Sequence, residues 1–240
     1  MSRRAVAGLV AAGVLAAGCG SSSSRSSSAR LATATPVPST QTHTQPPPTK
    51  PAPPAPRPAS SLPPGNNGSL PQTHQQPSSD TPAFKAEMAA LWSGVQTNSV
   101  QAALPAFFPE PAYAQVKAIS DPQGDWQSRL AGNFKLDLAA AHNLLGSGSA
   151  NAQLVEVDVP SQYAHWVDPG ACYNRLGYWE VPNSRVVYRE GGQIKSFGIA
   201  SMISWRGYWY VVHMGSVTGG GGTVDDPETG KGTPASSSTC

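Results

Sequence analysis

Residues 20–79 carry 14 prolines and almost no large apolar side chains, and this segment limits what the chain can fold into more than any other feature. A stretch of such low hydrophobicity cannot offset the conformational entropy lost on ordering, so a chain folded from end to end is excluded. Hydrophobic residues make up 39% of the whole, against roughly 45–50% in an ordinary globular domain, and the shortfall lies mainly here. Roughly 135 residues nearer the C-terminus remain, enough for one hydrophobic core. The segment is Ser-rich at residues 21–24 and 26–28, then turns to Pro and Thr, as in Pro46-Pro47-Pro48-Thr49-Lys50-Pro51. That composition favours solvated polyproline II without a packed core. We therefore expect residues 19–79 to be a disordered tether, reaching roughly 190 Å if fully extended and about 40 Å as a coil.

Charge changes at the same boundary. No Asp or Glu precedes Asp80, whereas the tether holds Arg25, Arg30, Lys50 and Arg57. From Asp80 onward 10 Lys and Arg face 14 Asp and Glu, so the net +2 of the whole conceals a basic stalk and a mildly acidic domain. No basic patch interleaved with aromatic residues occurs in that domain, which argues against a nucleic-acid partner.

The N-terminus reads as an export signal over residues 1–18. Arg3 and Arg4 precede an apolar run at residues 5–17, too short for the roughly 20 residues that span a bilayer. Small residues then lead to a cysteine in Leu15-Ala16-Ala17-Gly18-Cys19. These residues resemble a bacterial lipobox, with the aliphatic residue four places before the cysteine and Ala16 at the usual third place. The resemblance implies that Cys19 is acylated and becomes the mature N-terminus. Several acyl chains, at about 0.8 kcal/mol per buried CH₂, anchor stably where one binds only marginally. The expected location is the extracytoplasmic face of the cell membrane, with membrane lipid as a partner through acylated Cys19. Ser2-Arg3-Arg4-Ala5-Val6 also resembles a twin-arginine signal, so the export route stays open between that and general secretion.

Residues 80–216 read as helices followed by strands. Thr81 is placed to cap a helix that has Pro82 in its first turn, with Phe84, Met88, Leu91 and Val95 at helical spacing. Shorter helical pieces follow at 99–108, interrupted by Pro105, and at 111–119. A longer helix is expected over about 125–145, striped by Trp126, Leu130, Phe134 and Leu138 and stopped by Gly146. Residues 154–159 alternate as a strand. Strands at 184–190, 193–205 and 208–214 are joined by Gly191-Gly192 and Arg206-Gly207, both suited to tight hairpin turns. Counting from those turns pairs Ile203 with Tyr210, Ile199 with Met214 and Phe197 with Val186. The inward face then holds these residues with Tyr188, Trp205, Tyr208 and Val212, and the other face holds Ser196, Met202, Ser204, Trp209 and His213. A one-residue slip in register would bring His213 inward. Residues 217–240 read as a flexible Gly/Ser/Thr-rich tail.

Helices leading into an antiparallel sheet make an α+β domain. Ending in Trp205-Arg206-Gly207-Tyr208-Trp209-Tyr210-Val211-Val212-His213, the domain over roughly residues 82–216 resembles the NTF2-like, cystatin-like fold group, and within it secreted lipoproteins of actinobacteria. The resemblance implies a curved sheet with helices on one face and a cone-shaped space between them. Group members with isomerase or dehydratase activity hold an Asp, Tyr or His acid–base set in that cone. Tyr188, Trp205, Tyr208 and Tyr210 are the ligand-pocket candidates on the inward face, where no carboxylate or histidine is expected. No catalytic set is assigned. No paired metal-ligand spacing occurs among His142, His165 and His213, so no metal or cofactor is expected.

With Cys19 acylated, Cys172 and Cys240 remain in an oxidising compartment. A bridge between them would close a loop worth about 4 kcal/mol at most in the chain-entropy model, and two free thiols are the alternative. Two functions follow. The first is a lipid-anchored binding or interaction module of the envelope, taking an apolar small ligand or an envelope protein. The second is a small envelope enzyme using His213 or a Tyr as acid or base. An ionisable pair inside the cavity is what would distinguish them.

Overall fold

A computed structural model of the chain describes residues 71–217 and 220–233. The expected leader, Cys19, the tether up to residue 70 and Cys240 lie outside the described residues.

Helix α1 (Pro82–Thr97) starts as its sequence dictates. The Thr81 hydroxyl accepts a hydrogen bond from the Phe84 amide at 3.1 Å, and Pro82 sits in the first turn, where its missing N–H leaves nothing unpaired. Phe84, Met88, Leu91, Trp92 and Val95 are all buried. Ser99 caps the short α2 (Val100–Ala103), and Pro105 lies in the 3-10 turn after it. Helix α3 (Glu110–Val116) buries Tyr113 and Val116. The long helix begins earlier than expected, at α4 (Pro122–Asp125), because the Asp121 carboxylate accepts from the Gly124 amide at 2.9 Å and caps it. It widens into a π turn over Trp126–Leu130 before α5 (Ala131–Leu145). The wide turn suits the four-residue repeat of Trp126, Leu130 and Phe134, which would drift by about 40° per step on a regular 3.6-residue helix.

Six strands form one open antiparallel sheet: β1 (Gln153–Asp158), β2 (His165–Val167), β3 (Tyr178–Glu190), β4 (Gln193–Trp205), β5 (Tyr208–His213) and β6 (Asp225–Thr229). Their order is β1-β3-β4-β5, with β2 on β3 and β6 on β4. Both expected hairpins are present, with φ positive at Gly191 and Gly192 (56° and 80°) and at Arg206 and Gly207 (48° and 87°). Phe197 pairs with Val186, and Ile203 with Tyr210.

Two expectations about the sheet are corrected. Ile199 does not pair with Met214, because β5 carries an extra residue between Val211 and His213: Met202 faces Val211, but Ser201 faces His213. One inserted residue reverses the alternation beyond it, so His213 shares the face of Ser201 and Ile203 and not that of Trp209. Strand β3 starts at Tyr178, six residues before the expected Ser184, and runs through Pro182. Proline cannot donate to a ladder and ordinarily argues against a strand of this kind.

Helices cover one face of the sheet. The Phe108 ring lies 6.3 Å from Trp205 and 5.9 Å from Tyr210, and Trp92 lies 5.4 Å from Tyr188. Chain segments at either end cover the other face. Residues 71–79, expected in the tether, pack there: the Trp209 and Trp179 indoles donate to the Pro77 and His74 carbonyls, each at 2.9 Å. The His74 ring stacks on Trp166 at 3.8 Å. Within the expected flexible tail, β6 pairs with Lys195, Ser196 and Gly198 at the edge of β4, and Gly232 after it packs against the fully buried Arg185. That guanidinium donates to Ser196 Oγ at 2.8 Å and pairs with Asp226 at 3.4 Å and Glu228 at 3.9 Å. The buried Asp137 carboxylate on α5 accepts from the Gly215, Gly222 and Thr223 amides at 3.0, 2.7 and 3.2 Å, fastening the approach to β6.

Candidate functional site

Between the helices and the sheet lies a cavity of about 200 Å³. Its helical wall comes from Phe108, Tyr113, Val116, Lys117, Arg129 and Leu130, and its sheet wall from Tyr178, Glu180, Ser201, Ile203, Val212 and His213. The sheet residues arrive together by register. Glu180 pairs with Ile203 on β4 and with His165 on β2, while Ser201 pairs with His213. Cross-strand partners share a face, so Glu180, Ser201 and His213 all look toward the helices.

Each polar side chain has an environment that sets its chemistry. Glu180 is almost fully buried, accepts the Ser201 hydroxyl at 3.0 Å and lies 3.4 Å from His165 Nε2. His213 makes no side-chain hydrogen bond with the described residues, and burial, reinforced by the nearby Arg129 and Lys117 charges, pushes its pKa down to about 4. Its imidazole is therefore neutral across the physiological range. Lys117 donates to the Cys172 carbonyl at 3.1 Å, and burial lowers its pKa. Burial pushes the Tyr178 phenol up to about 12, and its oxygen accepts from Asn174 Nδ2 at 2.9 Å.

A second group of charges braces the rim. Arg129 chelates Asp125, with Nε donating to Oδ1 at 2.8 Å and Nη2 to Oδ2 at 2.6 Å, and Nη2 also donates to the Tyr113 hydroxyl at 2.8 Å. Tyr113 in turn donates to Asp125. The Arg129 hydrogen bonds hold the Asp125 carboxyl below its ordinary range, while burial and Asp125 raise the Tyr113 phenol. An i,i+4 pair, with Asp125 at the end of α4 and Arg129 on the π turn, thus orients a phenol on α3.

The four aromatic residues expected to line a pocket sit elsewhere in the core. Tyr188 packs on Trp92 and Phe197, and Trp205 and Tyr210 pack on Phe108. Tyr208 is half-buried at the start of β5. None of the four lines the cavity. Cys172 is disulfide-bonded; the chain's other cysteines, Cys19 and Cys240, lie outside the described residues. No group of three or more His, Cys, Asp or Glu that could hold a metal occurs among the described residues. The inward carboxylate, Glu180, escapes a reading that leaves residues 178–183 in a loop. Extending strand alternation back from Val186 through Pro182 would have found it. Compared with known proteins, the chain matches no family model, no curated protein and no solved structure.

Proposed function

We propose that this is a lipid-anchored domain of the cell envelope that binds a small molecule in the cavity between its helices and its sheet, on an NTF2-like arrangement of the α+β fold. The short apolar leader and the lipobox-like Leu15-Ala16-Ala17-Gly18-Cys19 support export and acylation at Cys19. No helix among the described residues is long and apolar enough to cross a membrane. The cavity carries the binding reading: apolar walls surround a buried carboxylate and an imidazole that makes no side-chain hydrogen bond among the described residues, the mixture typical of small-molecule sites. At about 200 Å³ it is below the usual range for drug-sized ligands and suits a compact one. Trp166 and Trp179 are engaged by His74 of the same chain, which favours a small ligand over an envelope protein.

An acid–base enzyme is the second reading. Glu180 and His213 both line the cavity and supply the ionisable groups for it, but no hydrogen bond joins them among the described residues, which leaves acid–base chemistry second to binding. Native mass spectrometry on the protein released from its own envelope tests the first reading. A co-purifying mass lost on denaturation is the expected result, with acyl groups on Cys19 in the denatured spectrum. A bare polypeptide would count against bound ligand, and turnover abolished by His213→Gln would favour the enzyme.

A further inference from the structure

We infer that the cavity's ligand is a small carboxylate with a compact apolar body, its charge taken by Lys117; this rests on the cavity being a binding site. The acceptors on the walls are already used. Glu180 accepts from Ser201 and faces His165, and Asp125 is held by Arg129 and Tyr113. The donors are not. Lys117 has three N–H groups and gives one, to the Cys172 carbonyl. The Tyr178 hydroxyl accepts from Asn174, but its own proton meets no acceptor among the described residues. The His213 ring adds a third unused position.

Arg129 is matched by Asp125, whereas Lys117, which feels the Asp125 and Glu180 charges and lies 6.0 Å over the Tyr113 ring, forms no direct ion pair among the described residues and is the cation left to meet a ligand. A ligand that completes these walls must bring acceptors, whereas a protonated amine would add donors beside Lys117 and Arg129. Hydrogen bonds between ionised partners are about twice as strong as neutral ones, so a carboxylate gains most from the ammonium. Phe108, Leu130, Ile203 and Val212 supply apolar surface for the rest of the ligand. An apolar cavity of about 150 Å³ takes up benzene. The roughly 200 Å³ here fits one ring, or a branched chain of similar size, plus a carboxylate.

Isothermal titration of the full-length chain with benzoate, benzamide and benzylamine tests this. Benzoate is expected to bind about tenfold or more tighter than benzamide, with benzylamine undetected. Lys117→Met, which keeps the stem, is expected to lower benzoate to the affinity of benzamide and leave benzamide unchanged. Tyr178→Phe, which removes only the proton donor, should weaken benzoate a few-fold, so the inference does not hang on one variant folding. Benzamide or benzylamine binding as tightly as benzoate would overturn the inference while leaving the cavity a binding site. Benzoate binding indifferent to both substitutions would overturn it too. Binding of none of the three also overturns it, and the mass spectrum of the envelope-derived protein then decides separately whether the cavity binds anything.

Discussion

The two faces of the sheet are covered in different ways. One is closed by helices whose apolar stripes run at helical spacing, from Phe84 to Val95 and from Leu130 to Leu138. The other is closed by residues 71–79 and by 230–233, which follow the edge strand β6; these Pro-, Gly- and Gln-rich segments attach by hydrogen bonds from indoles, by one stacked histidine and by contact with a buried arginine that β6 carboxylates pair. The helical face gains its stability from buried apolar area, the outer face more from a few directed contacts. A segment with no hydrophobic periodicity can therefore still be part of a fold when tryptophans on the sheet reach for its carbonyls.

Phe197→Ala, in the fully buried centre of the helical face, should give the largest loss, about 4 kcal/mol by denaturant unfolding. A loss near 1 kcal/mol would mean that this face is not the main core. Glu87 sharpens the comparison with the opposite sign. It is buried on that face with neither carboxylate oxygen hydrogen-bonded among the described residues, and burial raises its pKa from 4.5 to about 9. Stability from this group is full below pH 4.5 and falls as pH rises toward 9, because the unfolded chain ionises first. Glu87→Gln should then stabilise the protein by about 3 kcal/mol at pH 7 and by nothing near pH 4, in unfolding curves at the two pH values. A variant less stable at both would place the carboxylate in a polar contact instead.

On the outer face, a chain beginning at Thr81 should lose about 2 kcal/mol, as two indole hydrogen bonds disappear, and its tryptophan emission should move to the red. Unchanged stability and emission would return residues 71–79 to the tether. Trp179→Phe removes one of those bonds and should cost about 1 kcal/mol in the intact chain, with nothing further in the shortened one.

The helical face was largely legible in the sequence. Thr81-Pro82 marked a helix start, the apolar stripes marked the buried sides, and Gly191-Gly192 and Arg206-Gly207 fixed both hairpins by their need for positive φ. The site was less legible, for two local reasons. Pro182 concealed the first half of β3 and with it Tyr178 and Glu180. The extra residue at Val212 reversed the alternation just before His213. A bulge leaves no mark in composition, since it is set by how β5 packs and not by which residues it contains. The cover of the outer face left no periodic signal either, because it is held by a few directed contacts to carbonyls, one ring and one guanidinium and not by an apolar stripe.

The position of His213 carries the account of the site, and an NMR titration of its imidazole tests it most directly. Burial depresses this pKa from 6.5 to about 4, so the stability it contributes is full above 6.5 and lost as pH falls toward 4, opposite in sign to Glu87. The expected result is a ring that stays neutral down to about pH 4 and whose resonances move when a ligand enters the cavity. A midpoint near 6.5, the value of an exposed imidazole, with no response to ligand, would put His213 in solvent on the other face and contradict the bulge, the cavity and the function built on them.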